Sequence, residues 1–566
     1  MILHVLLILP TVALSTVVKT PLGEIEGFVH STQSGSKVDV FLGVPFARPP
    51  VGEQRFKKPQ SIESWAPTQL KAKEFGDACL PFIELAIPPY GASEDCLTLN
   101  IIKPSSGENL PVLVFIHGGG FEVGAARDYG YERLAEKIAS QGVIAVTIQY
   151  RLGPFGFISF GDAEVPGNVG LWDQVEALKF LQKVLPSFGG DPTRVTVSGE
   201  SAGACSTSAL QYSPHAKGLF KQAFEMSGSI LSEFALTEAV VEESRKLASE
   251  LGCLKSTSRE TLECLEKAST KDIMQGVWKV GTTRHHTRVV VYHPRIDGDF
   301  FPATIEELAK HQPPLNNIMG VASHEAALLV VMEELAFLSG VVVPSNGRDK
   351  YTREKLVSFI NDVVAPEEDF GVHTGAVRDL ITQFYADGGE ATASYLQKFV
   401  DLYSDLLFVL PMYNEAVLKL RNGWNTWIYV NEHELRSIPR DQLPGAYHGD
   451  ELLHFTDVRM FQVPDERLDI DEDAAFGKAF VDALVAFVKN GDPSTPAIHW
   501  PKISIRSPFV RLALSHRSEI RNDAYRPDAV RLWTENISKI VSEEALRRTR
   551  LPGAITLDSL QGHDDL

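Results

Sequence analysis

The chain has 566 residues, of which 44% are hydrophobic and 22% are charged, so it can bury a large core without metals or a dense set of disulfides. Its formal net charge of −19 at pH 7 argues against binding to nucleic acids or anionic membranes, because both polyanions would repel it. A neutral or cationic small substrate fits this charge better, although solubility alone would explain the same acidity.

The first 15 residues, MILHVLLILPTVALS, form an apolar run that is too short to span a membrane and that ends in a small-residue sequence suited to signal-peptidase cleavage. We therefore expect a signal peptide over residues 1–15 and entry into the secretory pathway. The alternative is a buried first strand. Further along, Glu333 and Glu334 interrupt the best apolar stretch, at 327–344, so we expect no membrane span and a soluble lumenal or secreted protein.

Short β-branched runs alternate with helical stretches along the chain. The predicted strands include 112–116, 143–149 and 194–197, and residues 170–183 form a predicted helix. This alternation indicates an α/β fold with a largely parallel, twisted central sheet and helices on both faces. Because ligand sites of such sheets lie beyond the carboxyl ends of the strands, we look there for the chemistry.

A glycine loop follows the predicted buried strand at 111–117. It reads Gly118-Gly119-Gly120 after a histidine, which is typical of loops that supply backbone amides to an oxyanion hole. We expect the N–H groups of Gly119, Gly120 and Ala202 to be the donors. A purely structural glycine loop is the alternative.

The single G-x-S-x-G sequence of the chain is Gly199-Glu200-Ser201-Ala202-Gly203, placed directly after a predicted strand and before a helix of small residues. A nucleophile on such a sharp turn needs glycine on both sides, where a Cβ would clash. The turn also directs the positive end of the helix dipole toward a developing negative oxygen. We interpret Ser201 as the nucleophile, and the alternative is a glycine-rich turn with a solvated serine.

Five cysteines in an oxidising compartment leave at least one unpaired. We favour the local pairs Cys79 with Cys96 and Cys253 with Cys264, because each closes a short loop. This leaves Cys205, in an apolar stretch of small residues, as a buried and inert thiol.

Several segments together resemble the type-B carboxylesterases, the group that includes the cholinesterases. They are FLGVPFARPPVGEQRF at 41–56, SEDCLTLNI at 93–101, YRLGPFGF at 150–157, NVGLWDQVEALKF at 168–180, FGGDPTRVTVSGESAG at 188–203 and FVKNGDPSTPAIHWP at 487–501. The resemblance implies an α/β-hydrolase fold, with one domain over residues 16–550. It also implies hydrolysis of neutral carboxylic esters through an acyl-enzyme, with a small-molecule ester as substrate and no metal or cofactor.

The resemblance further implies the two partners of the serine. The segment NNIMGVASHE, which ends at Glu325, resembles the strand, glycine and late carboxylate of the family, so Glu325 would orient the imidazole. The segment GAYHGDEL resembles the catalytic histidine loop, so His448 would take the proton from the serine. We interpret His324 and His454 as structural or exposed, and His117 as an anchor of the oxyanion loop.

Two features of the resemblance concern the pocket. The family often places a buried acid at the position of Glu200, where it would support the pocket, tune His448 or favour a cationic leaving group. Cholinesterases carry a tryptophan in the loop at 79–96 that binds quaternary ammonium, but here this loop has only Phe82 and Tyr90 as aromatic residues. Choline specificity is therefore not expected.

Two signals concern location. The tail at 551–566 ends in His-Asp-Asp-Leu, which is similar to the HDEL retention signal and would bind a lumenal retention receptor. We thus expect either the lumen of the endoplasmic reticulum or secretion. Asn536 begins the single N-glycosylation sequon.

Three other functions remain open from the sequence. One is a catalytically inactive adhesion or binding relative, since the family contains such proteins, although those commonly lose the nucleophile. The others are specialisations as a lipase or amidase and as a cholinesterase. Acyl-pocket width depends on how distant loops pack, which the sequence does not settle.

Overall fold

A computed structural model describes residues 14–281, 287, 289–333, 342–388, 393–437, 443–458 and 471–541. The predicted signal peptide therefore lies almost wholly outside the described residues, and the tail at 551–566 lies fully outside them.

The strands follow in chain order. They are β1 Ser15–Thr20, β2 Gly23–Ser31, β3 Lys37–Pro45, β4 Leu70–Lys71, β5 Ala78–Cys79, β6 Ala92–Ser93, β7 Thr98–Pro104, β8 Leu110–Ile116, β9 Ile144–Ile148, β10 Gly190–Glu200, β11 Gln222–Met226, β12 Asn316–Ala322, β13 Asn425–Asn431, β14 Arg511–Leu514 and β15 Glu519–Arg521.

One large sheet dominates the described part of the chain, with the order β1-β2-β3-β7-β9-β8-β10-β11-β12-β13-β14-β15 and with β4 paired to β2. The seven neighbouring strands from β9 to β14 are all parallel, whereas β1, β2, β3 and β7 at one side and β15 at the other are antiparallel. The predicted, largely parallel central sheet is confirmed. The carboxyl ends of the parallel strands meet at one edge, where a site is expected.

The α-helices of the described residues also follow in chain order. They are α1 Glu132–Lys137, α2 Gly153–Phe157, α3 Val169–Val184, α4 Ala202–Tyr212, α5 Ala239–Glu250, α6 Ser258–Lys267, α7 Thr270–Val280, α8 Ile305–Ala309, α9 Ala327–Val331, α10 Ser345–Arg348, α11 Arg353–Phe359, α12 Glu367–Phe370, α13 Thr374–Ile381, α14 Tyr395–Ser404, α15 Leu410–Arg421, α16 Asp471–Asn490 and α17 Pro527–Arg531. Within the described ranges, no helix combines the length and the apolarity that crossing a bilayer requires.

The sheet separates two hydrophobic cores. Along β8, Val112, Val114 and Ile116 point into one core, which also contains residues of α3 and α4. The alternate residues Leu113 and Phe115 point into the other, with residues of α1 and α16. Because side chains of a strand alternate between the faces of its sheet, helices on both faces bury a strand that is apolar at every position.

Candidate active site

Ser201 lies at the turn between β10 and α4, and its φ of 57° is unusual for a residue with a side chain. Its N–H donates a hydrogen bond to the Met226 carbonyl at 2.9 Å, which ties the turn to β11. A Cβ at Gly203 would lie 2.1 Å from the Ile116 carbonyl oxygen, and a Cβ at Gly199 would lie 2.3 Å from the Gly203 backbone. Both positions require glycine, so the structure contains a sharp strand-to-helix turn at the serine.

The glycine loop after β8 packs directly against this turn. A Cβ at Gly118 would lie 3.1 Å from the Cβ of Ser201 and 2.7 Å from Oε2 of Glu200. Only a glycine therefore allows the two backbones to approach this closely. The N–H of Gly118 is already used, since it donates to the Tyr129 hydroxyl at 3.2 Å.

The next two glycines differ from Gly118 in exposure and in hydrogen bonding. Gly119 and Gly120 are partly exposed and have positive φ angles of 105° and 63°. Among the described residues, no acceptor bonds to the N–H of Gly119, Gly120 or Ala202. Ala202 also begins α4, whose first N–H groups carry the positive end of the helix dipole. These three donors are therefore free to bind a negatively charged oxygen.

His117, the residue before the glycine loop, anchors the loop through its contacts with Gly118 and Tyr150. Its buried ring stacks on Tyr150 with 4.5 Å between centroids, and its Nδ1 lies 2.9 Å from the Gly118 carbonyl oxygen. The Tyr150 hydroxyl donates to the His117 carbonyl at 3.0 Å. Burial lowers the pKa of His117 to about 4, so the ring is neutral at pH 7. These contacts fit an anchoring role and no part in proton transfer.

Glu325 and His448 meet at the carboxyl ends of two neighbouring strands, β12 and β13. Parallel pairing aligns Ala322 with Asn431. A further parallel bridge joins His324 to Tyr447, the residues directly before Glu325 and His448. His448 Nδ1 lies 2.6 Å from Glu325 Oε2. The other carboxylate oxygen of Glu325 accepts the N–H of Ala322 at 2.7 Å, which holds the acid in place.

Glu200 competes for the other nitrogen of the imidazole. His448 Nε2 lies 3.0 Å from Glu200 Oε1, at an angle outside that of a hydrogen bond. In the described part of the chain, no hydrogen bond joins Ser201 Oγ to His448. Burial alone would lower the pKa of His448, but the charges of Glu200 and Glu325 outweigh it and raise this pKa well above its ordinary value.

The sequence as a whole matches known proteins. The model of the carboxylesterase family matches residues 14–533. The chain belongs to the carboxylesterase family. Gut esterase 1 of Caenorhabditis elegans is 32% identical over 86% of this chain and 87% of its own length. Human carboxylesterase 5A is 31% identical over 96% of this chain and 93% of its own length. Human bile salt-activated lipase is 30% identical over 90% of this chain and 68% of its own length.

The protein is thus a carboxylic ester hydrolase with an α/β-hydrolase fold. An ester is its substrate class, and its site needs an activated nucleophile or a metal-bound water. Within the described ranges, no group of three or more His, Cys, Asp or Glu side chains is placed to hold a metal ion.

Two other candidate histidines, His324 and His454, make different contacts. His324 precedes the acid, and its Nδ1 lies 3.0 Å from the Ser323 hydroxyl. His454 packs against Phe476, and burial lowers its pKa to about 3.

Two further buried residues, Glu451 and Phe408, were not predicted from the sequence. Glu451 is fully buried. Its burial, and to a smaller extent the charge of Glu325, raises its pKa to about 8. It follows His448 by three residues, so its acidic type in that loop was a usable signal. Phe408 packs its ring on His448 with 4.8 Å between centroids. No local sequence signal connects Phe408 with His448.

Both predicted disulfides are confirmed. Cys79 is bonded to Cys96 and Cys253 is bonded to Cys264. Cys205 is free and buried on α4, and burial raises the pKa of its thiol well above the ordinary value. A thiol in this state is a poor nucleophile, as expected for an inert residue.

The loop closed by Cys79 and Cys96 contacts the segment that follows the glycine loop. Phe82 is fully buried, and its N–H donates to the Glu122 carbonyl at 3.0 Å. The ring of Tyr90 already faces a cation, because the guanidinium of Arg127 lies 4.5 Å from its centroid. The two aromatic residues of this loop therefore have their contacts within the protein.

Proposed function

We propose that the enzyme hydrolyses uncharged carboxylic esters through an acyl-enzyme on Ser201, with His448 as general base and Glu325 as the residue that orients it. One observation carries the proposal. A carboxylate and an imidazole that are far apart in sequence meet at 2.6 Å, and the imidazole lies 3.0 Å from Glu200, the neighbour of Ser201 at the strained turn.

In the first half of the reaction, Ser201 Oγ bonds to the ester carbonyl carbon while its proton passes to Nε2 of His448. The N–H groups of Gly119, Gly120 and Ala202 hold the resulting negative oxygen. The bond from carbon to the alcohol oxygen then breaks, and the proton on Nε2 passes to the departing alkoxide.

In the second half, water bonds to the acyl carbon and gives a proton to His448 Nε2, and that proton returns to Ser201 Oγ as the acid leaves. For both halves Nε2 must turn from Glu200 toward the serine. Glu325 keeps the other proton on Nδ1 throughout, so that Nε2 is the atom that accepts. The two carboxylates stabilise the imidazolium formed in each half.

An uncharged ester suits the electrostatics of the site. Glu200 and Glu325 place two carboxylates beside His448, and the protein carries a net charge of −19. An anionic substrate would be repelled. A choline-specific pocket is not supported either, because the loop at 79–96 has no tryptophan and the ring of Tyr90 already contacts the guanidinium of Arg127.

Replacing Ser201 with alanine tests the nucleophile. We expect kcat for an uncharged ester to fall by about 10⁴- to 10⁶-fold with the fold retained. Cys205→Ala is the matched control on α4, the helix that begins directly after Ser201, and its kcat should stay near that of the wild type. An organophosphate should add its mass at Ser201 in the wild type and in Cys205→Ala. Full activity of Ser201→Ala, or labelling only at another residue, would contradict the assignment.

A panel of short-chain, long-chain, choline and amide substrates tests the substrate class. We expect uncharged esters to give the highest kcat/KM. A lipase specialisation is the second candidate, since a relative that covers 90% of this chain is named a lipase. Preference for long acyl chains would favour it, and preference for choline esters would contradict our proposal. No turnover of any ester would favour an inactive binding relative.

We further propose a secretory protein in which residues 1–15 are a signal peptide, residues 16–550 form one hydrolase domain and residues 551–566 form a retention tail read by a lumenal receptor. Two disulfides support an oxidising compartment, and the exposed side chain of Asn536 is open to glycosylation. Deleting the last four residues should increase secretion from cells. Glycosidase treatment should reduce the mass of the wild type but not of Asn536→Gln.

A further inference from the structure

One long helical segment, residues 395–421, contacts the elements that carry all three proposed catalytic side chains. It consists of α14, a π-helical turn at Asp405–Val409, and α15 without a break. π-turns inside α-helices occur frequently at functional sites. We call this segment the spine helix.

The end of α14 supports the acid. The Ser404 hydroxyl accepts the N–H of Ala326, the residue after Glu325, at 3.0 Å. The adjacent Asp405 accepts hydrogen bonds from two residues outside the spine helix, the Tyr385 hydroxyl at 2.8 Å and the Arg526 guanidinium at 2.6 Å. The spine helix is therefore held in place where it meets the acid.

The π-turn supports the base. Phe408 lies four residues after Ser404, and its buried ring packs on the imidazole of His448 at 4.8 Å between centroids with 49° between planes. Phe408 also packs against Phe234, with 5.6 Å between ring centroids. The phenyl ring is thus confined, and it confines the imidazole in turn.

The middle of α15 contacts the helix that follows the nucleophile. Glu415 on this helix accepts the Ser208 hydroxyl at 2.7 Å and the Tyr212 hydroxyl at 3.0 Å. Both donors belong to α4, the helix that begins directly after Ser201. A single rigid element therefore touches the supports of the acid, the base and the nucleophile.

We propose that Phe408 is a positioning residue, which holds the imidazole of His448 in the narrow range of orientations that reaches both Glu325 and Ser201. The terminal torsion of histidine has broad minima, so ring packing has to restrict it. The restriction is needed here because Glu200 lies 3.0 Å from the same nitrogen that must reach the serine. The inference rests on the proposed function, because it assigns His448 the role of base.

Phe408→Ala tests this role in the full-length protein. Catalytic groups must be held within about 0.5 Å, and a misplacement of about 1 Å costs about 10²-fold. We expect kcat for an uncharged ester to fall by about 10- to 100-fold with a much smaller change in KM. Phe408→Leu, which refills most of the volume, should restore most of the lost kcat.

Phe399→Ala is the matched control. Phe399 is an equally buried phenylalanine on the same spine helix, and it packs on Tyr351 and Phe359 instead of on the site. Its loss should lower thermal stability about as much as the loss of Phe408, with kcat near the wild-type value. Proton NMR adds a direct measurement, since the downfield resonance of the His448 Nδ1–H should weaken in Phe408→Ala and persist in Phe399→Ala.

Two results would overturn the role of Phe408. One is a wild-type kcat in Phe408→Ala, and the other is an equal loss of kcat in Phe399→Ala, which would show a purely structural effect. Ser201→Ala measured alongside separates these from a failure of the proposed function. If Ser201→Ala is inactive, either result overturns only the positioning role. If Ser201→Ala is active, the proposed function and the inference fall together.

Discussion

Replacing Glu325 with glutamine removes one charge and one acceptor from a carboxylate that uses both of its oxygens. Oε2 lies 2.6 Å from His448 Nδ1, and Oε1 accepts the Ala322 N–H at 2.7 Å. Glutamine offers one oxygen and one NH₂ group. The backbone N–H of Ala322 cannot change its role, so the amide oxygen should turn to it and the NH₂ group should face Nδ1.

This arrangement selects the wrong tautomer of the imidazole. Nδ1 must then accept, which places the proton on Nε2, and His448 can no longer take the proton of Ser201. Loss of the orienting acid in a Ser-His-Asp triad lowers kcat by about 10⁴-fold. We therefore expect kcat of Glu325→Gln to fall by about 10⁴-fold, equivalent to about 5 kcal/mol of transition-state stabilisation, with KM little changed.

The chain offers a matched control for this experiment. Asp473 is also a buried carboxylate that pairs with a histidine, 2.8 Å from His433 Nε2, while it accepts the N–H of Arg436 at 3.0 Å. Asp473→Asn repeats the same chemical change away from the serine and should leave kcat near the wild-type value. Steady-state kinetics with an uncharged ester at about pH 8 measures both variants. A kcat of Glu325→Gln within tenfold of the wild type would refute the reasoning.

Other changes probe the electrostatics and the packing of the turn. Glu200→Gln removes one of the charges that raise the pKa of His448. Since only the neutral imidazole accepts a proton, the acidic limb of the kcat/KM profile, measured from about pH 5 to 9, should move to lower pH. An acidic limb at the wild-type pH would contradict this. Gly203→Ala places a Cβ 2.1 Å from the Ile116 carbonyl oxygen and should lower the melting temperature sharply. Gly375→Ala, also in a helix but with no atom within 4 Å of the new Cβ, should stabilise by about 0.5–1 kcal/mol; equal melting temperatures would contradict both expectations.

Features that depend on neighbours in the chain were predictable from the sequence. The predicted strand at 112–116 lies within β8, and the predicted helix at 170–183 lies within α3. The turn at Ser201 was recognisable from its G-x-S-x-G sequence, although the clash that requires glycine at position 203 is with the Ile116 carbonyl oxygen of the neighbouring strand β8. Short-range sterics and hydrophobic patterning act over a few residues, so the sequence records them directly.

Features that depend on distant packing were not predictable in this way. Glu325 and His448 could be named only through the family resemblance, and their contact arises because β12 and β13 are neighbours in one parallel register. The resemblance implied that Glu200 could tune His448, but the 3.0 Å approach of Glu200 to Nε2 and the packing of Phe408 on the same ring follow from tertiary packing.

The amino-acid sequence by itself therefore determined the class of fold, the serine turn and the glycine loop, since backbone sterics and the pattern of apolar residues are written along the chain. Only the tertiary structure decided which side chains surround the imidazole and how strongly their charges act on it. The physical reason is that distances of about 3 Å between residues from separate strands and helices follow from the packing of the whole sheet, and burial strengthens the resulting electrostatics.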